Sequence, residues 1–116
     1  MSIKATTRYV NDVTVVYVSG AAKLEGKGST VLRDTVRDLL AAGRKKIVVD
    51  LDEVDYIDTE GVGGLASVLT SVRNQGGELK LVNLTKNVHA VLKIMKLDTI
   101  FHVLESEATA IASFTT

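Results

Sequence analysis

The side chains most able to do chemistry in this sequence are a group of carboxylates followed by a hydroxyl. The carboxylates are Asp50, Asp52, Glu53, Asp55 and Asp58, and Thr59 and Glu60 come next. Paired carboxylates can act as general acid and base. However, the sequence places no nucleophile, nearby histidine or recognisable substrate pocket beside them. We therefore expect a protein that is not an enzyme.

Three glycines within four positions follow the carboxylates, at Gly61, Gly63 and Gly64. Backbone N–H groups at a glycine-rich helix start can cradle phosphates. The spacing matches neither G-x-G-x-x-G nor G-x-x-x-x-G-K-[ST], and the neighbouring carboxylates would repel a phosphate. Each glycine inside a helix costs about 1 kcal/mol relative to alanine. The pattern therefore predicts that the neighbouring strand or a partner approaches this turn closely.

A phospho-accepting receiver domain is a second alternative, because Asp50 ends an apolar run. That chemistry also needs an acidic pair after the first strand to hold Mg²⁺, and the residues at 18–21, Val-Ser-Gly-Ala, supply none. His89 and His102 are isolated, and we interpret each as a surface or core residue rather than a ligand. We interpret Tyr56 as a partly buried loop anchor that could also touch a partner.

Thr59 has the position expected of a phosphorylation switch. Its hydroxyl lies near a predicted helix N-terminus, where the helix dipole tolerates a phosphate. Either Asp58 or Thr59 could cap that helix. A phosphate adds a charge of about −1.5 to −2, which beside Asp58 and Glu60 would oppose docking of a partner. A loss of about 4 kcal/mol would weaken binding about a thousandfold.

The composition excludes several other classes of protein. Fourteen basic and fourteen acidic residues give formal neutrality, so no general attraction to nucleic acid or an anionic membrane is expected. There is no cysteine and only two histidines, which argues against a thiolate or zinc site, and we expect no cofactor. No apolar run approaches the ~20 residues that span a bilayer, and the N-terminus lacks an apolar signal core. We therefore expect a cytoplasmic protein.

The periodicity predicts an order of elements for one domain spanning residues 1–116. Strands at 3–9 and 13–19 form a hairpin around Asn11-Asp12. The apolar run at 47–51 predicts a central strand, and alternation predicts further strands at 79–83 and about 100–104. Four predicted helices complete the domain. The first is capped by Ser29 and has Leu32, Val36, Leu39 and Leu40 inward, and the second runs from about Glu60 to Asn74. The third is capped by Thr85 and carries Val88, Val91, Leu92 and Met95 on one stripe, and the fourth, at about 107–114, has Ala108, Ile111 and Ala112 inward.

The resulting order, β-β-α-β-α-β-α-β-α, predicts an α/β fold with a mostly parallel mixed sheet. Crossovers between parallel strands are almost always right-handed, so strands that step in one direction put the helices mainly on one face. Leu79 and Leu81 alternate with Lys80, which suits a sheet covered on one side. A doubly wound order would require both faces to be apolar.

The stretch from Val49 to Gly63, VDLDEVDYIDTEGVG, resembles the signature of STAS domains, in which a strand and the loop D-[ST]-[ST]-G-[LV]-G precede a helix. It is most similar to stand-alone bacterial anti-sigma factor antagonists. The resemblance extends over nearly the whole chain, through Ser19-Gly20, the turn at 76–79 and Leu97. It implies a STAS fold and no catalytic activity. It also implies partner switching: the unphosphorylated antagonist binds an anti-sigma factor that is a serine/threonine kinase, phosphorylation ends binding, and a serine/threonine phosphatase restores it.

By position, Thr59 matches the phosphorylated residue of that family, Asp58 the preceding acid and Gly61 the following glycine. We expect the partner-binding surface to comprise Asp58, Thr59, Glu60, Gly61, Val62, Lys23 and Tyr56. Two features depart from the pattern: Glu60 stands where a second hydroxyl is frequent, and Ala21-Ala22-Lys23 replaces a Glu-Leu-Asp type of run. The alternative function is therefore a STAS scaffold that is not phosphorylated, within a larger signalling or lipid-transport complex.

Overall fold

A computed structural model of the protein describes residues 3–20, 23–24 and 27–114, with the backbone alone at 23–24 and 27–28. Ala21 and Ala22 lie outside the described residues. The strands are β1 Lys4–Val10, β2 Val13–Ser19, β3 Lys23–Leu24, β4 Lys46–Asp50, β5 Tyr56–Ile57, β6 Glu78–Val82 and β7 His102–Leu104. The helices are α1 Lys27–Ala41, α2 Thr59–Asn74, α3 Lys86–Ile94 and α4 Glu107–Ser113.

The main sheet has five strands in the order β1-β2-β4-β6-β7. β1 and β2 form the predicted antiparallel hairpin, and Asn11 adopts φ 55° in the two-residue turn between them. The remaining neighbours are parallel. β4 is the central strand, shifted by one residue from the predicted 47–51, and the mostly parallel mixed sheet of the predicted fold is confirmed.

α1, α2 and α3 contribute to a large apolar cluster on one face of the sheet. Ile47 and Val49 of β4 and Leu79 and Leu81 of β6 belong to it, and all four are fully buried. The predicted inward residues of α1 are all buried, and on α3 Val88 and Leu92 are buried while Met95 is 42% exposed. Helical periodicity therefore identified the inner faces of these helices, except at Met95, which is the C-cap residue that follows α3.

α4 packs on the opposite face of the sheet, over a smaller cluster of Val13, Val15, Val48, Val82 and Ala110. This corrects the interpretation of Lys80 as a sign of an uncovered face. Lys80 is only 5% exposed, and its ammonium donates to Ser113 and lies 4.1 Å from the centroid of the Phe114 ring. The long side chain lets α4 cover the sheet while the charge still finds polar partners.

Two predictions about helices are wrong. α1 begins at Lys27, so Ser29 lies inside its first turn, 4% exposed, and is not the N-cap. On α4, the predicted inward residues Ala108 and Ala112 are exposed and Ala110 is the buried residue, while Ile111 is partly buried and packs against the smaller cluster as predicted. A helix of seven residues has too few turns for its sequence to define one face clearly.

Candidate functional site

The start of α2 decides which of the two candidate residues is the cap. Asp58 is extended (φ −98°, ψ −178°), and its Oδ1 accepts a hydrogen bond of 2.7 Å from the Gly61 N–H. Thr59 is therefore the first residue of the helix, and its side chain is exposed. Because Asp58 supplies the cap, the exposed Thr59 side chain is not needed to accept a hydrogen bond from the unpaired N–H groups of the first turn.

A second, two-stranded sheet holds the loop before α2. β5 pairs in parallel with β3, with Lys23 opposite Tyr56 and Leu24 opposite Ile57. The pairing brings together two predicted partner-binding residues that are far apart in the sequence. Tyr56 is 48% exposed, and Ile57 is the buried anchor at 3%. Neither strand is predicted from the sequence, because two residues are too few to show a period.

Side chains of α3 and of its N-cap contact the same loop. Thr85 Oγ1 donates to the Val54 carbonyl at 2.9 Å while also capping α3 by accepting from the Val88 N–H. Asn87 Nδ2 lies 3.4 Å from Asp55 Oδ1. Thr85 is confirmed as the cap of α3, and its second hydrogen bond, to the Val54 carbonyl, anchors the loop that leads into α2.

The carboxylates of this region separate into exposed and buried groups. Asp52, Glu53, Asp55 and Glu60 are exposed, and Glu53 accepts a hydrogen bond of 2.7 Å from the Tyr17 hydroxyl. That bond to Glu53 is the main reason that the pKa of Tyr17 rises to about 12. Of the acidic residues, Glu60, which is exposed, and Asp58, which is partly exposed, flank Thr59 and place negative charge beside it.

Asp50 belongs to a different polar cluster, beneath the N-terminus of α4. It is 3% exposed and accepts from the Asp52 N–H at 2.9 Å and from Asn83 Nδ2 at 3.0 Å. Burial, and after it a hydrogen bond with Glu107, raise its pKa to about 6. The same bond lowers the pKa of Glu107, which Arg8 also contacts at 2.6 Å. No local sequence pattern predicts this cluster, because β1, β4 and α4 are far apart in the chain and meet only in the folded structure.

The two glycines after Val62 differ sharply. A Cβ on Gly64 would lie 2.5 Å from the Ser29 Cβ, so close packing of α2 against α1 explains this glycine. A Cβ on Gly63 would meet nothing within 4 Å, and Gly63 is exposed. The predicted close approach thus occurs within the domain at Gly64. Contact with a partner remains the prediction for Gly63.

The predicted partner-binding residues do not all reach the surface. Thr59 and Glu60 are exposed and Asp58 is partly exposed, but Gly61 is buried and Val62, at 2% exposed, belongs to the large apolar cluster. Thr59, Gly63 and Ser67 are exposed and recur every four residues, so they share one face of α2. We call these three residues the docking stripe.

The other candidate sites have little support in the structure. His89 and His102 are exposed on α3 and β7. Within the described ranges, no group of three or more His, Cys, Asp or Glu side chains could hold a metal ion. None of the described helices is long and apolar enough to cross a membrane.

Comparison with known proteins identifies the class. A family model of the STAS domain matches residues 4–110, so the chain belongs to the STAS-domain family. A Bordetella bronchiseptica relative named "Putative anti-sigma factor antagonist BtrV" is 35% identical over 74 residues, which span 64% of this chain and 64% of that relative.

Solved structures agree on the fold. The crystal structure of tm1081 from Thermotoga maritima superposes with a TM-score of 0.86 at 24% identity and covers 97% of this chain and 95% of that one. The phosphorylated form of the Bacillus cell fate determinant SpoIIAA superposes with a TM-score of 0.71 at 16% identity, covering 95% and 98% of the two chains. The chain is thus a STAS-domain protein, and the relatives that it matches are named as anti-sigma factor antagonists. It spans 64% of the length of the Bordetella relative.

Proposed function

We propose that the protein is a phosphorylation-controlled anti-sigma factor antagonist. When unphosphorylated it binds an anti-sigma factor that is a serine/threonine kinase, and phosphorylation of Thr59 by that kinase releases it. A serine/threonine phosphatase then restores binding. The observation that carries the proposal is the exposed Thr59 hydroxyl at the first position of α2, beside an Asp58 that already caps the helix.

A phosphate on Thr59 should be tolerated by the domain itself. It would lie at the positive end of the α2 dipole and outside the apolar cluster. Because Asp58 rather than Thr59 caps the helix, modification of Thr59 removes no hydrogen bond that α2 needs at its start. The folded state should therefore survive phosphorylation with little change in stability.

The same phosphate should oppose a docked partner. Asp58 and Glu60 flank Thr59, so the modification adds a charge of about −1.5 to −2 where two carboxylates already lie. Docking would remove water from these charges and strengthen their mutual repulsion. The docking stripe has no large side chain, and at Gly63 a partner's side chain or backbone can approach the helix closely. Tyr56 and Lys23 would form the border of this contact.

The experiment compares Thr59→Ala and Thr59→Asp by calorimetry against the anti-sigma factor recovered with the protein from the source cells. The alanine variant should bind like the unphosphorylated wild type and stay bound when ATP is added. The aspartate variant should bind at least tenfold more weakly, since it carries part of the phosphate's charge. Thr70→Ala is the matched control, because Thr70 is also exposed on α2 and donates to the Ala66 carbonyl.

Intact mass after incubation with the kinase and ATP tests the covalent step. The wild type and Thr70→Ala should each gain one phosphate, and Thr59→Ala should gain none. Phosphorylation at a residue other than Thr59 would refute the proposed site.

Glu60 supports the alternative, a constitutive STAS scaffold, because it places an exposed carboxylate directly after the candidate acceptor. In that case the alanine and aspartate variants would bind equally and the wild type would stay unmodified. Glu60→Ser would then be expected to create the phosphorylation that the wild type lacks.

A further inference from the structure

The outer edge of β1 is unpaired in the described sheet. β1 is the terminal strand and pairs with β2 over its full length, from Lys4 opposite Ser19 to Val10 opposite Val13. Of the seven residues of β1, only Ala5 and Val10 are partly buried, and the others are exposed. A long exposed edge of this kind is a template for pairing with another strand.

The hairpin register determines which backbone groups face outward. Val10 and Val13 flank a two-residue turn, so they form a hydrogen-bonded pair, and such pairs alternate along an antiparallel ladder. The even-numbered residues of β1 thus direct their N–H and C=O groups to β2. Ala5, Thr7 and Tyr9 direct theirs to the open edge.

The side chains of these three residues share the α1 side of the sheet. They line an open groove of about 520 Å³ together with α1 residues that include Thr35 and Asp38. Tyr9 is 61% exposed, and the Arg44 guanidinium lies 4.8 Å from the centroid of its ring. Arg44 is itself fixed by a bond of 2.8 Å to Thr14 Oγ1. A large ring is thus held in place at the surface beside a groove.

We propose that β1 pairs with β1 of a second copy of this chain, antiparallel and about a two-fold axis through Thr7. Thr7 is the middle residue of the strand and also one of the outward-directed residues. A symmetric pairing about it therefore aligns Ala5 with Tyr9 of the second copy and forms about six backbone hydrogen bonds. The two sheets become one continuous sheet of ten strands.

The side chains across this pairing are complementary. Each Tyr9 ring faces the small Ala5 of the other copy and lies over its groove, and the two Thr7 side chains face each other. On the opposite face, Thr6 faces Arg8 and Lys4 faces Val10, so no like charges are directly opposed. The Arg8 charge is already neutralised by Glu107 at 2.6 Å.

This register favours a second copy over an unrelated partner strand, because the side chains of β1 are complementary to those of a second, antiparallel β1. The docking stripe takes no part in it, so one dimer could present two Thr59 sites. Pairing of one strand buries an area at the low end for specific interfaces, and we expect a weak, concentration-dependent dimer.

Sedimentation velocity from about 1 to 500 µM tests the proposal, with dimer expected at the upper concentrations. Thr7→Pro removes an outward N–H and no bond to β2, and proline is tolerated on an edge strand. This variant should sediment as a monomer at all concentrations. Tyr9→Ala should weaken the dimer at least tenfold.

Cysteine cross-linking provides a second measurement, which holds even if Thr7→Pro fails to fold. The sequence contains no cysteine, so a single introduced thiol is unambiguous. Two copies of Thr7→Cys would have Cα atoms about 5.5 Å apart, within disulfide range. In the matched control Lys4→Cys, the thiols would lie six residues apart, about 20 Å, and should cross-link at least tenfold more slowly.

Three results would overturn this pairing. The first is a wild type that stays monomeric throughout, and the second is a dimer that both Thr7→Pro and Tyr9→Ala leave unchanged. The third is cross-linking of Lys4→Cys as fast as Thr7→Cys. If the wild type is monomeric and Thr7→Pro abolishes anti-sigma factor binding, the edge instead receives a strand of that partner.

Discussion

The two faces of the main sheet are stabilised in different ways. The face under α1, α2 and α3 contains the large apolar cluster, and Gly64 allows α2 to contact α1 directly. The face under α4 has a smaller apolar cluster and the buried polar groups Asp50 and Lys80. The first face therefore fixes the helix that presents Thr59. The second face is covered by the short helix α4, whose contacts with the sheet depend partly on the charge of Lys80 and on the protonation of Asp50.

Val48 and Val49 of β4 allow the most direct comparison of the two faces, because both are fully buried and they face opposite sides of the sheet. We expect Val49→Ala to lower the free energy of unfolding by about 3 kcal/mol, through lost burial and a cavity that three packed helices cannot close. Val48→Ala should cost about 1.5 kcal/mol, since the seven-residue α4 can settle onto the sheet. Urea denaturation of both variants measures the difference, and equal losses would contradict it.

Gly64 and Gly63 compare tight and open packing within one helix. Gly64→Ala should destabilise the protein by about 1–3 kcal/mol, because its Cβ would overlap Ser29 on the neighbouring helix. Gly63→Ala should stabilise it by about 0.5–1 kcal/mol through helix propensity, since the space is open. Thermal denaturation should show melting temperatures shifted in opposite directions. Loss of stability in Gly63→Ala would mean that this position is not open.

The pH dependence of stability tests the polar side of the sheet. The pKa of Asp50 is raised from 3.8 to about 6 by burial and by its bond to Glu107. Between about pH 4 and 6 the folded state therefore retains a proton that the unfolded state has lost, so this contribution to stability decreases as the pH rises through that range. The lowered pKa of Glu107 acts in the opposite direction, losing its contribution as the pH falls below the unfolded value of 4.5.

Urea denaturation from pH 4 to 8 measures this effect. Asp50→Asn should remove the decrease between pH 4 and 6, while Asp55→Asn, an exposed control, should leave it in place. If both variants retain the decrease, Asp50 is not its source.

Lys80→Met should have the smallest effect. It keeps most of the buried stem and removes an ammonium whose partners are Ser113 and the Phe114 ring. Because burial of a charge is costly, the variant should be as stable as the wild type or more stable by up to about 1 kcal/mol. A loss above 2 kcal/mol by urea denaturation would show that the contacts of the charge hold α4 in place.

Much of the fold followed from residue periodicity, because strands and helices with one buried face repeat apolar residues every two or about 3.6 positions. This identified the hairpin, β4, β6 and the inner faces of α1 and α3. The extent of the single domain at 1–116 remains a prediction, with the family model matching 4–110. The shortest elements, β3, β5 and the inward face of α4, escaped because they contain less than two repeats of their period.

For the candidate site, the sequence by itself determined the position of Thr59 at a helix start, flanked by Asp58 and Glu60, since that depends only on neighbours in the chain. The tertiary structure decided which of Asp58 and Thr59 caps α2. It also brought Lys23 beside Tyr56 and separated the roles of Gly63 and Gly64. These outcomes depend on how α1, β3 and the sheet pack against the site, and packing between distant segments leaves no local pattern in a sequence.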